Sequence, residues 1–155
     1  METAEPGLGT QLRILIAKLD GDVQLLYDAV GASFRPRFFP IVQHLIAGEP
    51  CTVTTLAQVI QVSQPAATQT IAEMVKLGLI DVAAGTDARE RLVSLTPAGR
   101  ELAEQLRPLW GAVAEAASDL DRELPYPLSK TLAAALDALG RDPFADRVRR
   151  KINDA

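Results

Sequence analysis

Apolar residues recur at helical spacing from the start of the chain. Leu12, Ile16, Leu19, Val23, Leu26 and Val30 fall alternately four and three positions apart, which predicts an amphipathic helix over residues 10–30. Thr10 is the expected cap and Gly31 the exit. A second helix is expected over residues 35–47, with Phe38, Phe39, Ile41, Val42, Leu45 and Ile46 turned inward. Pro36 suits its first turn, whereas Pro40 should shift or kink the start. Thr54 is then expected to cap a short helix with Leu56, Ala57 and Ile60 on its apolar side. After Gln61-Val62-Ser63, Ser63 caps another helix that runs to Leu77 and stops at Gly78, with Ala67, Ile71, Met74 and Val75 facing in. Two short helices joined by a tight turn make a helix-turn-helix.

The period then changes. Leu79-Ile80-Asp81-Val82-Ala83 and Leu92-Val93-Ser94-Leu95 flank a polar loop containing Gly85, which reads as a β-hairpin with a long tip. Thr96 caps the next helix and Pro97 takes its first position. That helix is expected to reach about residue 124 with a kink at Pro108, and Pro125 and Pro127 break it. A further amphipathic helix over residues 128–139 ends at Gly140, and a short helix with a basic end covers residues 143–152. The predicted fold is mainly α with a small β-hairpin wing. It is a winged helix-turn-helix (residues 35–99) between helical regions at residues 10–34 and 100–155, after a flexible start at residues 1–9. The apolar stripes of the first and last helices exceed what a small central lobe can cover, which points to an interface.

Surface chemistry gives the lobe a candidate task. Ser63, Gln64, Ala66, Thr68, Gln69 and Thr70 present short polar, amide or methyl groups near the start of the second helix of the pair. Such groups suit base edges, because an amide can pair bidentately with adenine and a hydroxyl with several partners. Net charge qualifies this. The chain of 155 residues has 16 Lys+Arg and 20 Asp+Glu, for a formal charge of −4. Within residues 60–100 the cations Lys76, Arg89, Arg91 and Arg100 are matched by Glu73, Asp81, Asp87 and Glu90. A neutral surface binds phosphates more weakly than a basic one.

Other chemistry is thinly represented. One cysteine, Cys51, allows no internal disulfide, and one histidine, His44, limits triads and metal sites. Cys51 reads as structural. No glycine-rich phosphate loop, metal cluster or nucleophile–base pair is visible, so neither catalysis nor a cofactor is expected. No apolar run is long enough to span a bilayer, and the N-terminus is acidic without an apolar leader, so a cytoplasmic protein is expected.

Asp87-x-Arg89 followed by Leu92-Val93-Ser94-Leu95-Thr96-Pro97-x-Gly99 resembles the wing and wing exit of the MarR family of bacterial transcription regulators. Leu56-Ala57, Ser63 and Lys76-Leu77-Gly78-Leu79-Ile80 fall where that family has its helix-turn-helix, and Arg35-Pro36-Arg37-x-Phe39 resembles the start of its second helix. The resemblance implies a homodimer whose terminal helices interlock, reading a pseudo-palindromic duplex with recognition helices about 34 Å apart. It implies that Arg89 enters the minor groove, where narrow geometry concentrates negative potential. Asp87 would then hold that guanidinium by a charge-assisted bond, and Arg91 would contact phosphate. It further implies repression released by a small aromatic effector, for which Tyr27, Phe38, His44 and Trp110 are the candidate lining. The sequence departs from the family pattern at Gln69 and Val82, where arginines are frequent. Two readings therefore stand: a DNA-binding regulator, or a winged-helix adaptor with weak or no affinity for DNA.

Overall fold

The computed structural model describes residues 6–48, 50–87 and 89–154; residues 1–5, within the expected flexible start, lie outside them. Among the described residues seven α-helices and the two wing strands follow the predicted order, joined by a third, unexpected short strand, and the chain divides into two compact units between Arg107 and Pro108.

The first unit opens with α1 (Leu8–Ala29). It starts two residues earlier than expected, and Gly7 rather than Thr10 is its cap: the Gly7 carbonyl accepts from Thr10 N at 2.9 Å, with no side chain involved. Gly31 ends it at φ 70°, a left-handed conformation that glycine adopts without a Cβ clash. The two prolines split the second helix into a 3-10 turn, Pro36–Phe38, and α2, Phe39–Ala47. Phe39 is exposed rather than buried.

A two-residue strand, β1 (Cys51–Thr52), precedes α3 (Val53–Val59). The expected cap at Thr54 is instead Thr52, whose side chain accepts from Thr55 N at 3.1 Å. The helix-turn-helix turn places Gln61 at φ 55° and closes with Val62 N on Ala57 O at 3.0 Å. Ser63 caps α4 (Gln64–Lys76), accepting from Ala66 N at 3.3 Å. Ala67, Ile71 and Met74 of α4 are buried, whereas Val75 is exposed.

Strands β2 (Ile80–Ala84) and β3 (Arg91–Leu95) pair antiparallel with Val82 opposite Val93, and β1 pairs with the other edge of β3 through Cys51 opposite Val93. The sheet order is β1-β3-β2. Alternation on β3 sends Val93 and Leu95 into the core beside Ile80, Leu56 and Met74.

The wing is joined to the next helix, α5 (Pro97–Glu123), by an unusually close contact. Thr96 donates from Oγ1 to Gly78 O at 2.6 Å and accepts there from Gly99 N at 2.9 Å, while its own N–H reaches Leu79 O at 3.1 Å. A Cβ built on Gly99 would lie 2.0 Å from the Leu79 carbonyl oxygen, so the helix can seat there only without a side chain. Ala103 and Leu106, one and two turns on, complete this buried face.

The second unit holds the rest of α5, α6 (Leu128–Arg141) and α7 (Phe144–Asn153). Gly140 lies inside α6 rather than ending it. Asp121 closes the α5–α6 corner by accepting from Ser129 N at 3.0 Å. Asp142 closes the α6–α7 corner through Arg150 at 2.6 Å and Arg147 at 3.4 Å. None of the described residues of this unit is buried. No helix of the described residues is long and apolar enough to cross a membrane.

Gly99→Ala is expected to destabilise the protein by about 3 kcal/mol, at the upper end of ordinary overpacking, because the neighbour it meets is backbone and cannot rotate away. Chemical denaturation followed by circular dichroism measures this, and a stability within 0.5 kcal/mol of wild type, the ~0.5 kcal/mol scatter of a surface substitution, would contradict it.

Candidate nucleic-acid interface

The sequence-predicted recognition residues lie together on the solvent side of α4, but their hydrogen-bonding capacity is unequal. Ser63 is committed to its cap. The Gln64 amide donates to Thr54 Oγ1 on α3 at 3.3 Å. Thr68 and Thr70 donate their hydroxyls back to Gln64 O at 2.9 Å and Ala66 O at 3.1 Å, which leaves their oxygens as acceptors only. Gln69 is exposed, and its amide makes no hydrogen bond to another described residue. Gln64 keeps its amide oxygen and one N–H, whereas the Gln69 amide is wholly uncommitted. Beside it Ala66 presents a methyl group to solvent.

The wing supplies the second half. Gly85 N donates to Glu90 O at 2.8 Å and Glu90 N to Asp87 O at 2.9 Å, closing the tip. The expected bond from the Arg89 guanidinium to Asp87 is not what forms. Asp87 Oδ1 instead accepts from the Arg89 backbone N–H at 3.0 Å, a side-chain turn that shapes the loop. No ion pair holds Arg89 or Arg91 among the described residues, and both are exposed.

A further pair of cations joins this surface from a distance in sequence. Arg35 Nε donates to Glu73 Oε1 at 2.5 Å, and Arg37 donates to Glu73 Oε2. The Arg37 guanidinium also lies over the Phe38 ring, 5.7 Å from its centroid. Partial burial pushes the Glu73 carboxyl up, but the hydrogen bonds and charges of Arg37 and Arg35 outweigh it and hold the group below the usual range. The resemblance had placed Arg35 and Arg37 only at a helix start, and no local pattern announced their partner.

Of the candidate effector lining, Tyr27 and Phe38 pack into the core of the first unit. Tyr27 and Phe38 are fully enclosed and meet through Phe34, edge to face, at 5.0 and 5.6 Å. They are core residues, where aromatic area stabilises best. His44 and Trp110 are half-buried, the latter in the second unit. A cavity of about 490 Å³ in the first unit is lined by Gln24, Asp28, residues 31–35, Glu73 and Leu77. Cys51 is half-buried and its burial pushes the thiol up, which makes it a poor nucleophile. No His, Cys, Asp and Glu cluster among the described residues has the makings of a metal site.

Two helices across a tight turn, a three-stranded wing and a helix locked to its root define a winged helix-turn-helix protein. Residues 39–90 match the model of the MarR family. The chain is 25% identical to a MarR family transcriptional regulator from Silicibacter pomeroyi, with a TM-score of 0.66 over 90% of this chain and 99% of that one. It is equally identical, 25%, to a probable transcriptional regulator from Pseudomonas aeruginosa, with a TM-score of 0.65 over 88% and 99% of the two chains. A regulator from M. tuberculosis solved in complex with DNA aligns at a TM-score of 0.72, 22% identity and 88% and 97% coverage. No curated protein matches the sequence. Residues 39–90 thus resemble the MarR family, and the chain has the fold of MarR-family transcriptional regulators.

Because Glu73 ionises more easily folded than unfolded, the unfolded state binds more protons as pH falls below the ordinary glutamate range of about 4.3. Its contribution to stability is present above that range and is lost as pH falls through the depressed native value. Thermal melts of wild type and Glu73→Gln are expected to differ most above pH 5 and to converge on acidification. A gap that stays constant down to pH 2 would contradict the arrangement.

Proposed function

We propose that the protein is a cytoplasmic, homodimeric, sequence-specific DNA-binding regulator that represses transcription and is released by a small aromatic ligand. The observation that carries the DNA reading is the free Gln69 amide on the exposed side of α4, set in the same lobe as a wing whose Arg89 and Arg91 make no ion pair. Gln69 is assigned a bidentate role on adenine, with Ala66 against a neighbouring thymine methyl. Thr68 and Thr70 accept from base amino groups, while Ser63 and Gln64 position α4 and keep an O–H or N–H to donate to phosphate. Arg89 enters the minor groove, Asp87 shapes the tip that presents it, and Arg91 contacts phosphate.

Exposed apolar surface supports the dimer. Ile16 on α1 and Val30 at its C-cap are 53% and 63% exposed, and Leu136 and Ile152 in the second unit are 60% and 69% exposed. α6 and α7 bury no residue and are marginal alone in water, so their faces need a partner, and a second copy has the same unmet faces. In this reading residues 10–34 and 100–155 dimerise and residues 35–99 bind DNA. Of the proposed effector lining, His44 and Trp110 remain the side chains with solvent access. The adaptor alternative rested on a neutral recognition segment, and the arginines brought onto Glu73 weaken it.

Sedimentation should give twice the chain mass, and selection from a random duplex pool should return a pseudo-palindrome. Gln69→Ala is expected to cost about 1–3 kcal/mol on that site and to relax preference at one position per half-site. Arg89→Ala is expected to cost about 1–3 kcal/mol as well. If the pool returns no enriched duplex at any salt concentration, the adaptor reading replaces this one. Displacement of the duplex by a panel of small aromatic acids tests the release step.

A further inference from the structure

On α4, Glu73 lies one turn beyond Gln69 and Thr70, so the exposed stripe with the free amide ends in a carboxylate. An anion is a poor end for a surface facing a polyanion. In the fold it is covered by two guanidinium groups on one carboxylate, a local charge of +1. The arginine side chains are 52% and 53% exposed and the Glu73 side chain 27%, so the cluster shows solvent its cationic side. Each guanidinium has five N–H donors, and the bonds to Glu73 leave others available. Arg35 and Arg37 add two cations to a stretch that is neutral along the chain, and Asp28, which lines the same cavity as Arg35 and Glu73, offsets one of them.

We propose that Arg35 and Arg37, paired on Glu73, form a phosphate clamp that grips the DNA backbone beside the groove entered by α4. The inference rests on the DNA-binding reading above and extends it to residues outside the helix-turn-helix and wing. Phosphate is the target because of position. Glu73 follows Gln64 by nine residues, about 13.5 Å along the helix axis. The N-terminal residues of a recognition helix are the ones that meet base edges, and its far end runs out toward the backbone. Paired guanidinium groups with free donors match phosphate oxygens in geometry and charge.

The test is the salt dependence of binding, measured on a random-sequence duplex because a phosphate contact carries no sequence information. Each phosphate contact contributes about 0.9 to the slope of log K against log salt. The Arg35→Ala/Arg37→Ala protein is expected to lose about 1.8 of that slope, with its preference for the selected site over random duplex unchanged. The Arg35→Lys/Arg37→Lys protein should keep the slope. The Arg35→Gln/Arg37→Gln protein, which can still donate to Glu73, should lose it, and is the variant to read if the alanine pair fails to fold. A wild-type slope in a folded alanine or glutamine pair overturns the clamp. If Arg89→Ala lowers the slope while the arginine pair does not, the clamp is wrong and the DNA reading stands. If wild type binds no duplex at any salt concentration, both fall together.

Discussion

The lobe depends on a backbone contact that only glycine permits. Gly99 lies against the Leu79 carbonyl, and Thr96 ties the same corner through three hydrogen bonds. That corner is where the end of α4, the root of the wing and the first turn of α5 meet. Gly78, at φ 69°, turns the chain from the helix into the strand at the same place. Three elements that would otherwise pivot independently are thereby held in one geometry. A surface built partly on α4 and partly on the wing needs that constraint, because its two halves come from different elements.

Charge shows how far a fold can reorganise what a sequence spells. Glu73 is the only anion on the exposed stripe of α4, and the fold covers it from a segment more than thirty residues earlier. Sites on the wing follow another rule. There the carboxylate of Asp87 serves the backbone rather than its neighbouring arginine. In both places a carboxylate's value lies in the geometry it imposes more than in an ion pair, which is expected where solvent screens such pairs.

Much of this was legible locally. Helical spacing, the caps at Ser63 and Thr96, and the glycine stop at Gly78 follow from contacts within a few residues, and the structure keeps them. The elements that escaped have non-local causes. β1 is two residues long, too short to show a period, and exists because Cys51 and Thr52 find the free edge of β3. With the strand there, the cap falls on Thr52 instead of Thr54. The Arg35–Glu73–Arg37 bridge joins segments no sequence window contains. Tyr27 and Phe38 were ambiguous for another reason: a ligand pocket and a filled core call for the same apolar side chains, and it takes the fold to show Phe34 wedged between the two rings. Gln69 was legible as a polar position, but its availability emerged only once the hydroxyls of Thr68 and Thr70 beside it were seen to be spent.

The turn at the wing tip has a consequence for how such a protein can change. Asp87 holds the loop through a single oxygen that accepts a backbone N–H, and an asparagine offers the same oxygen without the charge. Shape and electrostatics at the tip are therefore separable. A lineage can raise or lower its grip on a polyanion one unit at a time while the loop keeps its course, so the strength of the interaction drifts without the architecture being renegotiated.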